Sequence, residues 1–81
     1  MTPEEIFSKM QTLIAEQFAL DEDEITMSSS FVDDIGADSV DLVELVMAME
    51  DEFELDEIEE DDLSQLKTVG DCVRYLSSKL N

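Results

Sequence analysis

The chain reads as all-α: a small four-helix bundle, three longer helices plus one short one, with a long loop between helices 1 and 2. Three observations predict it. Apolar residues recur at spacings of three and four in three separate stretches. A cap residue with an acid three places on opens each of those stretches. Nowhere does the chain carry the alternating pattern of a half-buried strand.

The first helix starts at Thr2-Pro3-Glu4-Glu5, with Thr at the cap, Pro at the first helical place and Glu at the third. Ile6, Phe7, Met10, Leu13, Ile14 and Phe18 then form its buried stripe, so it should run to about Phe18. From Ala19 to Ala37 the periodicity is lost. Asp21-Glu22-Asp23-Glu24 reads as a solvated turn and Ser28-Ser29-Ser30 as loop. Leu20, Ile25, Phe31, Val32 and Ile35 are expected to plug this connection onto the bundle. A loop of such length usually has a task. Here it delivers Asp38-Ser39 to the head of the central helix.

Asp38 suits the N-cap, since its side chain can accept an orphan amide of the first turn, and Asp41 fills the acidic place of the capping box. Gly36 can supply a positive φ or let a large group come close. Ser39 is then the first helical residue, its hydroxyl beside the positive end of the helix dipole. A phosphate attached there would be favoured by that field and by the free amides. Along the helix, Leu42, Leu45, Val46, Met49 and Phe53 fall on one face, a core stripe. Val40, Val43 and Met47 fall on another, among Glu44, Glu50 and Asp51. An apolar strip ringed by carboxylates fits partner docking better than burial.

After Phe53 an acidic run continues, broken by Leu55, Ile58, Leu63 and Leu66. A short third helix is expected within Glu59–Gln65. Thr68 and Asp71 cap the last helix, whose stripe is Val69, Cys72, Val73, Leu76 and Leu80. Gly70 in its first turn weakens that start.

Eighty-one residues make one domain, 1–81, with a modest core and no room for a deep, walled catalytic cleft. Four basic residues face 23 acidic ones, a net charge of −19. No Lys or Arg occurs between Lys9 and Lys67, and ten of the thirteen residues from Glu50 to Asp62 are acidic. Such a surface repels nucleic acid and anionic membranes and attracts basic partners, with fast, salt-sensitive association. Glu52 and Glu54 oppose the dipole of the central helix without evident stabilising gain, a pointer to function.

Much chemistry is excluded. There is no His, hence no imidazole acid–base pair and no HExxH zinc site. The two glycines form no phosphate loop, and an EF-hand built on either would need Phe31 or Gln65 as its first ligand. Carboxylate density allows weak divalent binding, with Asp33, Asp38 and Asp41 one candidate cluster and Glu50 with Glu54 another. A diffuse counter-ion cloud explains the same acids. The lone Cys72 cannot form an internal disulfide; its helical place predicts a small buried apolar residue, and the neighbouring Asp71 disfavours a reactive thiol. No signal peptide or membrane-spanning run is seen, so the expectation is a cytoplasmic protein without membrane insertion. Ser39 itself has no group to activate it. It is a poor nucleophile alone and a good acceptor for a group placed by another enzyme.

The segment Gly36-Ala37-Asp38-Ser39-Val40-Asp41 closely resembles the prosthetic-group site of acyl carrier proteins. The likeness extends through Ser30-Phe31-Val32-Asp33-Asp34, through Val43-Glu44-Leu45-Val46-Met47-Ala48, and to Lys67-Thr68-Val69. It is greatest to the discrete carriers of type II fatty-acid synthesis. The resemblance implies a non-catalytic carrier with 4′-phosphopantetheine on Ser39, donated from coenzyme A by a phosphopantetheinyl transferase. Acyl chains would ride as thioesters on that arm between fatty-acid synthesis enzymes with basic docking patches. Asp38 and Asp41 would help position the transferase. Val40, Val43, Glu44, Met47, Glu50 and Asp51 would form the docking strip of a monomer. Phe31, Leu42, Val46, Met49, Ile58 and Leu66 would line the acyl cavity. The chain departs from the family pattern in Val40 for Leu, in an extra residue between Phe53 and Ile58, in Glu59 for Pro, and in the apolar Leu42. Polyketide, lipid-A or aminoacyl cargo, an unmodified acidic adaptor and a weak divalent-ion buffer are the alternative readings.

Overall fold

Reciprocal caps start all three longer helices. The computed structural model describes residues 1–80, apart from the side chain of Glu60. Helix α1 spans Pro3–Phe18, α2 Ser39–Glu52, α3 Glu60–Leu63 and α4 Val69–Leu80, with one 3-10 turn at Glu22–Glu24. At α1 the Thr2 hydroxyl accepts from the Glu5 amide at 3.2 Å while the Glu5 carboxylate accepts from the Thr2 amide at 2.9 Å. At α4 the same exchange runs between Thr68 and Asp71. The fold is the expected one: all-helical, three longer helices and one short, no strand among the described residues.

Helix α1 lies against both α2 and α4. Ile6, Met10 and Ile14 meet Leu45 and Met49 of α2 and Val69, Cys72, Val73 and Leu76 of α4 in one buried cluster. These are the positions that a 3.6-residue period places on one face of each helix. Leu42 and Val46 are only partly buried, for a reason given below.

The long connection is fastened by its own side chains and backbone. Gln11 Nε2 donates to the carbonyls of Glu22 and Ile25 at 3.1 and 2.9 Å, fixing the 3-10 turn to α1. Ile25 and Phe31 are buried plugs, as expected, but Val32 is 64% exposed. Neighbouring residues in irregular chain point apart, and Phe31 takes the inward place. Further on, Phe31 N donates to Lys67 O and Val69 N to Ser29 O, around an antiparallel bridge between Ser30 and Thr68. Gly70 then donates its amide to Met27 O at 2.8 Å, and a Cβ there would stand 2.8 Å from that same oxygen. Glycine is present because loop backbone lies against the helix, which outweighs its weak helix propensity.

Candidate functional site

Ser39 is the first residue of α2, exposed, and held from three sides. Phe31 O accepts the Ala37 amide at 2.7 Å, closing the loop just ahead of the helix. Gly36 makes that closure with φ +79°, and space around its α-carbon is open, so the dihedral angle and not crowding calls for glycine. Asp38 Oδ1 accepts the Asp41 amide at 2.9 Å and Asp41 Oδ2 accepts the Asp38 amide at 3.1 Å. Gln17 Nε2 of α1 donates to Asp41 O at 2.8 Å, pinning the first turn to its neighbour. Asp38 and Asp41 therefore build the helix start with one oxygen each. The Ser39 and Val40 amides are left without helical partners by their position, at the positive end of the helix dipole.

Ser39 also borders an apolar cleft of about 300 Å³ between α2, α4 and the 63–66 segment. Phe31, Leu42, Val46, Met49 and Leu66 line it. Leu42 and Val46 are incompletely buried because they face this space. Ile58 does not line the cleft: it is buried in the core beneath a separate recess with Tyr75 and Lys79. The chain path after Phe53 turns it there. Sequence reasoning missed Leu45, Leu63, Ser64 and Cys72 as cleft residues, and Val43 as part of its rim. Helical periodicity cannot tell a wall from a packed core, because both use the same stripe.

Cys72 is buried at that wall. Burial pushes its thiol up to about 12, and the charge of Asp71 adds to the shift. At neutral pH it is an uncharged thiol and a poor nucleophile.

The outer face of α2 leaves Val40 63%, Val43 54% and Met47 62% exposed, with the exposed Glu44 and Asp51 among them. Val32 adds a further exposed apolar residue from the loop. Glu50 differs from its neighbours: it is half-buried, and its Oε2 accepts the Ile58 amide at 2.7 Å. Glu52 lies 3.8 Å from Lys9, an exposed ion pair that partly offsets its unfavourable place at the helix end. No group of three or more His, Cys, Asp or Glu among the described residues could hold a metal ion. Asp33, Asp38 and Asp41 thus do not gather as a cluster, since capping draws the last two onto backbone amides.

Residues 8–76 match the family described as phosphopantetheine attachment site. The chain is 51% identical over 72 residues to the acyl carrier protein of Clostridium perfringens strain 13, covering 89% of this chain and 93% of that one. It belongs to the acyl carrier protein family. The carrier is also 49% identical to the acyl carrier protein of Lactobacillus johnsonii over the whole of both chains. The solved acyl carrier protein of Enterococcus faecalis, at 37% identity, superimposes with a TM-score of 0.79 and covers 96% of this chain and 98% of its own. The carrier is not an enzyme; it serves fatty-acid synthesis, and its prosthetic group is 4′-phosphopantetheine. No helix among the described residues is long and apolar enough to cross a membrane.

Proposed function

We propose that Ser39 carries the prosthetic group. The observation that supports this most is its double position, exposed at the N-terminus of α2 and at the mouth of the apolar cleft. In loading, Ser39 Oγ forms a bond to the pantetheine-side phosphorus of coenzyme A. The phosphoanhydride bond breaks to release adenosine 3′,5′-bisphosphate, and a base of the transferase takes the hydroxyl proton. The arm supplies a thiol that holds acyl chains as thioesters. The residues of the chain do the rest. The caps of Asp38 and Asp41 aim the hydroxyl and the free amides at the incoming phosphate. The cleft lined by Phe31, Leu42, Val46, Met49 and Leu66 takes the alkyl chain out of water.

Val40, Val43, Glu44, Met47 and Asp51 dock the basic patches of the transferase and the synthesis enzymes, since an exposed apolar strip rimmed by acids complements a cationic groove. Residues 1–81 act as one carrier domain. Self-repulsion at a net charge of −19 favours a monomer, and the free thiol of Cys72 suits a reducing cytoplasm.

Intact-mass measurement after incubation with coenzyme A, magnesium and a phosphopantetheinyl transferase tests the site. Wild type should gain one phosphopantetheine and Ser39→Ala none; a gain on Ser39→Ala would move the site elsewhere. Reversing Glu44 or Asp51 to Lys should slow association with the transferase and reduce its salt dependence. Unchanged kinetics in both variants would remove α2 from the interface.

A further inference from the structure

The cleft beside Ser39 has room for a chain but no hydrogen bond to offer it. Its volume of about 300 Å³ holds about ten carbons, at about 30 Å³ for each group the size of a water molecule. Leu42, Val46 and Met49 follow Ser39 one, two and three turns down the same face of α2, so Leu42 is the wall residue nearest the mouth. Three polar side chains reach the cleft: Ser39, Ser64 and Cys72. Ser39 loses its hydroxyl proton once the arm is attached. Ser64, exposed at the rim, donates its proton to Asp61 O at 2.8 Å. The buried Cys72 thiol is a weak donor. The nearby backbone is equally spent: Leu42 N donates to Asp38 O at 3.0 Å, Leu63 N to Glu59 O at 3.0 Å and Leu66 N to Leu63 O at 3.1 Å. No buried side-chain nitrogen or oxygen among the described residues lacks a partner, so no donor is held in reserve. The free amides at the head of α2 serve the phosphate of the arm.

We infer that the cleft sorts cargo by the oxidation level of C3: it takes saturated chains and leaves 3-oxo chains in solvent, with Leu42 as the specificity-determining residue. Each two-carbon addition to a thioester leaves a carbonyl on C3, which synthesis reduces to a methylene. A chain with its tail in the cleft sets C3 close to the mouth, against Leu42. A carbonyl there gives up its hydrogen bonds to water and meets no donor, whereas a methylene gives up nothing. The sheltered form is therefore the product of the last reduction and the substrate of the next addition. The carbonyl still to be reduced stays within reach of the enzyme that reduces it. The inference rests on the reading of the cleft as the acyl site.

The carrier is loaded with acetyl, octanoyl or 3-oxooctanoyl arms from the matching coenzyme A thioesters, and its folding equilibrium is measured in urea. Cargo held by the folded state alone stabilises that state. In wild type, octanoyl should raise the folding constant over acetyl by about tenfold or more. The 3-oxooctanoyl arm should forfeit about tenfold of that gain, the effect of one unpaired acceptor. Leu42→Met and Leu42→Gln are close in shape and differ in a side-chain amide that can donate. Leu42→Met should keep the wild-type gap between the two eight-carbon chains, and Leu42→Gln should close most of it. Equal folding constants for octanoyl and 3-oxooctanoyl in wild type, with both above acetyl, would overturn the sorting. A gap as wide in Leu42→Gln as in Leu42→Met would overturn the role of Leu42. No difference between octanoyl and acetyl in wild type would instead overturn the reading of the cleft itself.

Discussion

At its start, α2 is bound into the protein by the Asp38–Asp41 exchange, by Gln17 from α1 and by the closed loop from Phe31 to Ala37. At its end it runs into Glu50, Asp51, Glu52 and Glu54 with no basic residue in its last turn. Glu54 there adopts a left-handed φ of +53°. Acids help the first end and hinder the second, because the helix dipole reverses between them. The difference leaves the start of α2 tightly fastened and its end electrostatically strained.

The largest effect should come from breaking the firm end. Phe31 is 1% exposed, plugs the loop onto the core and lines the cleft. Phe31→Ala should lower stability by about 3–5 kcal/mol in urea unfolding, and loading of Ser39 should slow as the loop loses its anchor. A loss confined to about 1 kcal/mol would mean that the loop is held by its backbone bonds alone. Gly70→Ala attacks the same region from α4. An overpacking penalty of up to about 3 kcal/mol at the Met27 carbonyl, less about 1 kcal/mol gained in helix propensity, leaves a net loss. A stabilised variant would show that the loop shifts freely.

The firm end was legible in the sequence, and the yielding end much less so. Asp38, Asp41 and Gly36 declare themselves through local rules of capping and dihedral angle, which neighbours in sequence decide. The three longer helices follow from period alone. Gly70 was misread because its reason lies in Met27, more than forty residues away. Val32 was misassigned because periodicity says nothing in irregular chain. Ile58 was placed in the cleft, and Glu50 treated as a surface charge, because their meeting depends on a turn among acids that no pattern specifies. Long-range backbone approach is the part that a single sequence hides.

Asp71 offers a test by pH at the junction of α4 with the loop. Partial burial pushes its carboxyl up, but the amides of Thr68 and Lys67 and the Arg74 guanidinium favour the ionised form, and the balance lies below the ordinary 3.8. With the folded value below the unfolded one, its contribution is complete above 3.8 and is lost as pH falls from there through the lower folded value. Asp71→Asn should therefore be less stable than wild type at neutral pH, and the two unfolding curves should converge in acid. Parallel curves down to the lowest pH would remove Asp71 from the junction. Asp38→Ala should cost about 1 kcal/mol in urea unfolding at neutral pH.

The smallest effect should come from relieving the yielding end. A side chain at left-handed φ is strained relative to glycine, and a negative charge just past the carbonyl end of a helix is unfavourable. Glu54→Gly removes both, against the entropy that glycine adds to the unfolded chain. A net gain of up to about 1 kcal/mol is expected in urea unfolding. Loading of Ser39 by the transferase should not change, because the start of α2 is fastened independently. If Glu54→Gly altered the loading rate, the two ends of the helix would be coupled through its length, and the division between a fastened start and a strained end would fail.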